Sequence, residues 1–216
     1  MVVLPLDKRL KKQSHRNIAL AQDILIMEVY NGFPQAVVHG GTALWRCYGS
    51  NRFSEDIDLY LPISARKESF RSLLDGLLGK GFIIEKFKKT ESSIFSKYSY
   101  LGVAVRLEAV FKKVKAPVLR KFEMTDGTFI LVNTLKPEEM LEEKIRTYFE
   151  RRKVRDLYDV FFLTRTVEKQ RVRGSALKLV EKFTMPIDEK ELKALIISGS
   201  IPKAEEMLES VRRWAE

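Results

Sequence analysis

The sequence predicts an α+β fold in two parts: a mixed β-sheet domain with flanking helices, then an all-helical C-terminal domain. Three observations predict it. Strand-like and helix-like segments alternate up to about residue 135, whereas almost everything after it has helical periodicity. The charge changes at the same place. Residues 1–135 carry 21 basic and 13 acidic side chains, and residues 136–216 carry 18 and 16. Finally, 216 residues suit one domain with a helical extension. The expected division is therefore 1–135 and 136–216.

The elements follow in order. Ser14 to Tyr30 reads as a helix, with Ile18, Ala21, Leu25 and Val29 on one side. Ala36 to His39 is a short apolar strand ending at Gly40-Gly41. A short helix from Thr42 to Tyr48 follows, with Thr42 available as its cap. Ile57 to Leu61 is a second strand, closed by Pro62. Ala65 to Leu78 reads as a helix, flanked at its end by Gly79 and Gly81. Strands are expected at Phe82–Phe87, Ile94–Tyr100 and Val103–Phe111. Val118–Met124 and Thr128–Val132 form a hairpin through the turn residues Thr125-Asp126-Gly127. Pro137 with Glu138 and Glu139 opens a helix, since proline suits the first helical position and acids suit the positive dipole end. Further helices are expected at about 156–169, 174–184, 188–197 and 202–215.

Composition excludes several classes. No apolar run approaches the roughly 20 residues of a membrane span, because Gln22, Asp23 and Glu28 interrupt the best candidate. The stretch Met1 to Pro5 turns charged too early for a signal peptide. One cysteine, Cys47, rules out an internal disulfide framework; with only two histidines, His15 and His39, a zinc site is not expected. There is no Gly-x-x-x-x-Gly-Lys-Ser/Thr loop. The expectation is a cytoplasmic protein. Its net charge of +10 points to a polyanionic partner. Residues 85–121 hold ten Lys/Arg against three Glu, interleaved with Phe87, Phe95, Tyr98, Tyr100 and Phe111. Such a stretch can track a phosphate backbone and stack on bases. It equally suits a lysine-rich solvated sheet face that discourages edge pairing.

The sharpest chemistry lies in His39-Gly40-Gly41-Thr42-Ala43-Leu44 and Arg52-Phe53-Ser54-Glu55-Asp56-Ile57-Asp58-Leu59. Glycines between a strand and a helix let the backbone approach a ligand, with helix N–H groups aimed at an anion. Asp56 and Asp58 are two apart, so on a strand both carboxylates project from one face. Facing hard oxygens suit Mg²⁺ shared with substrate phosphates, and a metal pair can stabilise a leaving pyrophosphate. Glu108, mid-strand in Val105 to Val110, is the candidate third carboxylate. Read alone, it would instead pair with its neighbour Arg106.

These residues resemble the AbiEii/AbiGii-type toxins of the nucleotidyltransferase superfamily. Gly-Gly-Thr-Ala-Leu and Arg-Phe-Ser-Glu-Asp-Ile-Asp-Leu carry the resemblance; Glu108, Lys144 in Met140 to Ile145, and Arg155-Asp156-Leu157-Tyr158-Asp159 continue it in family order. The resemblance implies a nucleotidyltransferase-like sheet domain with a helical domain that contributes Lys and Asp residues to the site. It implies Mg²⁺-dependent transfer of a nucleotidyl group from a nucleoside triphosphate, with two Mg²⁺ ions. Gly40, Gly41 and Thr42 would hold the triphosphate. Asp56, Asp58 and Glu108 would bind the metals, with Glu108 alternatively a base. Lys144 would neutralise phosphates, Asp156 and Asp159 would orient it or meet the nucleotide, and Arg52, Ser54 and Arg155 would contact the nucleotide. The expected acceptor is RNA, such as a tRNA 3′ end, and the expected partner is a cognate antitoxin. Two alternatives stay open: the same transfer to a small hydroxylated molecule, and a catalytically idle nucleic-acid-binding protein.

Overall fold

The computed structural model describes residues 4–216; Met1 to Val3, part of the stretch read above for a leader, lie outside the described residues. It divides into two compact units. One comprises the chain up to Gly49 with Phe53–Leu135; the other comprises Ser50–Arg52 with Lys136–Glu216.

The first unit holds α1 (Leu6–Arg9), α2 (Gln13–Gly32), β1 (Val37–His39), α3 (Gly40–Tyr48), β2 (Ile57–Leu61), α4 (Arg71–Gly79), β3 (Ile83–Lys89), β4 (Ser93–Tyr100), β5 (Val103–Phe111), β6 (Val118–Glu123) and β7 (Phe129–Thr134). Its seven strands form one mixed sheet in the order β3-β4-β5-β2-β1-β7-β6. The β2–β5 and β1–β7 pairs are parallel and the other neighbours antiparallel. Strand alternation separates the two faces. Along β5, Val105, Leu107, Ala109 and Phe111 are buried, while Ala104, Arg106, Glu108 and Val110 are exposed. The buried face packs against α2, whose Ile18, Ala21, Leu25 and Val29 form the expected stripe, and against Leu73 and Leu77 of α4. The opposite face stays open around Asp58 and Glu108.

Two local expectations change. The helix expected over Ala65–Leu78 is two pieces, a 3₁₀ turn at Ile63–Lys67 and then α4, because Glu68 is extended and breaks the ladder. The helix after β1 starts at Gly40 rather than at a Thr42 cap. Thr42 lies inside α3, fully buried, and its hydroxyl donates to the backbone carbonyl of Asp56. Gly49 closes α3 in the left-handed conformation, at φ 73°.

The second unit holds α5 (Pro137–Arg151), α6 (Val154–Leu163), α7 (Lys169–Glu181), α8 (Leu192–Leu195) and α9 (Ala204–Ala215). Pro137 takes the first helical position of α5, and Glu139 accepts the Lys136 N–H at 3.2 Å. The segment expected to be helical over 188–197 is a 3₁₀ turn followed by the single turn α8. Ser50–Arg52 joins this unit by a bridge between Arg52 and Ile196 and by the Ile197 N–H donating to the Asn51 carbonyl. Among the described residues no helix is long and apolar enough to cross a membrane.

Candidate active site

In the sheet unit, strand register assembles the carboxylates. Asp58 on β2 is the direct neighbour of Glu108 on β5, and His39 on β1 lies opposite Asp58. The row continues through Phe95 on β4 to Lys88 on β3, giving Lys88, Phe95, Glu108, Asp58 and His39 across five strands. In the adjacent row Lys86 pairs with Lys97 and Lys97 with Arg106. Asp56, just before β2, completes that second row by reaching Arg106. Arg106 Nε and Nη2 donate to Asp56 Oδ1 and Oδ2 at 2.9 and 2.8 Å. Arg106, which sequence alone would give to Glu108, therefore sets its guanidinium on Asp56.

Gly40 fixes the other wall. Its φ of 69° favours glycine, and a Cβ there would come within 2.2 Å of Asp58 Oδ2. The start of α3 and the Asp58 carboxylate can be this close only because the side chain is missing. Gly41 is buried in the first turn beside it. Among the described residues the Asp58 carboxylate, unlike that of Asp56, is held by no arginine or lysine side chain. Its carboxylate stands half-buried between a helix N-terminus and a second carboxylate.

The donor set suits a hard divalent cation: carboxylate oxygens on one face, beside a cradle that a Cβ would fill. Asp58 and Glu108 are side by side, whereas Asp56 faces Arg106. Among the described residues no group of three or more His, Cys, Asp or Glu side chains is gathered for a metal. Two protein carboxylates with phosphate oxygens are a usual arrangement for Mg²⁺, which is seldom caged by protein alone.

His39 stacks on Tyr60 with centroids 3.9 Å apart and planes 8° apart, and Lys112 Nζ lies 4.2 Å from the Tyr60 centroid. Tyr60, two residues beyond Asp58, borders a cavity of about 430 Å³ with Val37, Pro62, Lys112, Lys113 and Asn133. On the other flank of the carboxylates, Lys86 Nζ lies 4.9 Å from the Phe95 centroid. Neither the cavity nor these cation–ring pairs is legible in the sequence, since both depend on register. Ser54, expected at the nucleotide, is half-buried and its carbonyl accepts the Gln22 amide at 2.9 Å.

In the helical unit a second cluster forms. Asp156 and Asp159 of α6 are fully buried. Lys144 of α5 reaches Asp159 at 2.7 Å and Asp156 at 3.4 Å. Arg151 holds Asp156 with two hydrogen bonds of 2.7 and 2.9 Å. Arg52, expected as a nucleotide contact, is itself buried and donates from Nε and Nη2 to Asp159 at 2.7 and 2.8 Å. Burial alone pushes the Asp159 carboxyl up, but Arg52 and then Lys144 outweigh it and hold it below the usual carboxylate range. Arg155 is half-buried in the first turn of α6.

Residues 27–209 match the family described as nucleotidyl transferase AbiEii toxin, type IV toxin–antitoxin system. The chain belongs to the AbiEii family. That match takes in both carboxylate-bearing strands, the start of α3 and both aspartates of α6. It makes the chain one of a family of nucleotidyl transferase toxins of type IV toxin–antitoxin systems, a setting that implies an antitoxin partner. The fold is similar to that of JHP933 from Helicobacter pylori, with a TM-score of 0.65 and 22% identity over 95% of this chain and 91% of that one. No curated protein matches the chain.

Proposed function

We propose that this AbiEii-family protein transfers a nucleotidyl group from a nucleoside triphosphate to a hydroxyl of RNA, such as a tRNA 3′ end, in the cytoplasm. The observation that carries the proposal is the juxtaposition of Asp58 and Glu108 beside the glycine start of α3. Backbone N–H groups at Gly40 and Gly41 hold the triphosphate, favoured by the helix N-terminus. Asp56 and Asp58, with Glu108, would hold Mg²⁺, which neutralises the phosphates and the charge of departing pyrophosphate. A carboxylate oxygen of Glu108 takes the proton of the acceptor hydroxyl as its oxygen bonds to the α-phosphorus. The bond from that phosphorus to the bridging oxygen breaks, and pyrophosphate leaves with the electron pair. On the family's motif order Lys144 and Arg155 serve the nucleotide, and Asp156 and Asp159, buried against Lys144, orient it. Thr42 and Arg52 act at one remove, Thr42 by tethering the Asp56 backbone and Arg52 by fixing Asp159.

RNA is favoured because the basic side chains Lys86, Lys88 and Lys97 lie in the same two strand rows as the carboxylates, with Phe95 among them. A phosphate backbone crossing β3 and β4 is led to Asp58. A second reading has its own observation: a cavity of about 430 Å³ beside Tyr60 is large enough for a small hydroxylated acceptor.

The test is transfer of label from each of four α-labelled nucleoside triphosphates, with Mg²⁺, into total tRNA, beside Asp56→Ala/Asp58→Ala. Label in RNA from wild type only is the expected result. Pyrophosphate release that needs a small acceptor would transfer the proposal to the second reading. RNA binding that survives loss of both aspartates, with no transfer at all, would leave an idle binding protein.

A further inference from the structure

Arg106 stands where a cation would stand. It is two residues before Glu108 on β5, on the open face, and its guanidinium grips both oxygens of Asp56. Its side chain is 46% exposed and that of Asp56 23%, so the pair lies at the solvent boundary rather than in the core. Exposed pairs of this kind contribute little stability, roughly 0–1 kcal/mol, and open readily. One register step further on, Asp58 and Glu108 stand side by side.

We propose that Arg106 makes metal and nucleotide bind together. This rests on the assignment of Asp56 to the metal. Without nucleotide, Arg106 neutralises Asp56 and repels a second cation, so a divalent ion alone binds weakly. An arriving triphosphate offers Arg106 a better partner, because planar guanidinium and phosphate oxygens match bidentately. Arg106 then turns from Asp56 to the phosphates, and Asp56 becomes available to the metal. The exposed side chain can make this turn without disturbing the buried alternation of Val105 and Leu107 beneath it. Because coupling is reciprocal, the metal strengthens nucleotide binding by the same factor. The arrangement keeps the site from filling with divalent ions that carry no substrate.

The experiment measures Mn²⁺ binding to the full chain by electron paramagnetic resonance, first alone and then with an α,β-methylene triphosphate. Wild type, Arg106→Gln, Arg106→Lys and Asp56→Asn are compared, each checked for folding by circular dichroism. Arg106→Gln is expected to tighten Mn²⁺ binding in the absence of nucleotide about fivefold, the scale of an exposed pair removed together with its repulsion. The additional tightening brought by the triphosphate should shrink by a similar factor, and Arg106→Lys should fall between. If Arg106→Gln binds Mn²⁺ alone no better than wild type while Asp56→Asn binds it worse in the presence of the triphosphate, the Arg106 proposal fails and the metal assignment stands. If Asp56→Asn leaves Mn²⁺ binding unchanged even with the triphosphate present, both fail.

Discussion

Two arginine–aspartate pairs in this chain have nearly the same geometry and very different surroundings. Arg52 holds Asp159 through two hydrogen bonds of 2.7 and 2.8 Å, with side-chain exposures of 3% and 0%. Arg106 holds Asp56 through two of 2.9 and 2.8 Å, at 46% and 23%. In the first, removing one partner strands a charge in a medium that cannot solvate it. In the second, water substitutes for either partner. Burial, not hydrogen-bond geometry, therefore separates an ion pair that fixes a fold from one that can change partners. The helical unit has the fixed pair and the sheet unit the exchangeable one.

The comparison breaks most visibly at Arg52. Arg52→Ala should cost about 3–5 kcal/mol in urea unfolding, since Asp159 stays buried with Lys144 as its remaining cation. A loss under about 1 kcal/mol would put both pairs in the same class. Acid sharpens the point. Asp159 is held below the usual carboxylate range, so its contribution is present above its unfolded pKa, about 3.9, and is lost as pH falls through the lower folded value. Stability followed by circular dichroism should fall in that acid window for wild type, and Arg52→Ala should flatten the fall. Gly40→Ala should cost about 1–2 kcal/mol for its positive φ alone. It should also displace Asp58, so transfer is lost along with part of the stability; unimpaired transfer would contradict the close approach. The smallest change is expected for Arg106→Gln, within about 1 kcal/mol of wild-type stability in the same urea experiment.

How much of this was legible in the sequence depends on how far apart the partners lie. β2 was expected over Ile57–Leu61 and β5 over Val103–Phe111, and both occupy those residues, because a two-residue alternation is a local property. Glycines at 40 and 41 and the Asp56/Asp58 spacing were visible for the same reason. The break at Glu68 was not, since the apolar pattern of Ala65 to Leu78 runs through it. Arg106 is 50 residues from Asp56 and Arg52 is 107 from Asp159. No periodicity links such positions; parallel pairing of β2 with β5 decides the first, and the packing of Ser50–Arg52 into the helical unit decides the second. Thr42 shows the same limit, for a residue suited to capping lies within α3 and ties down Asp56 instead.

That short excursion of Ser50–Arg52 has a consequence for how the gene can be cut. A fragment beginning at residue 136 would encode α5 to α9 but not the arginine that both neutralises Asp159 and bridges to Ile196. The helical unit is therefore not a cassette that recombination could move by a single crossover at residue 135. During synthesis Arg52 is also made more than a hundred residues before its partner, so the last-made helices complete a structure whose first piece has long been waiting.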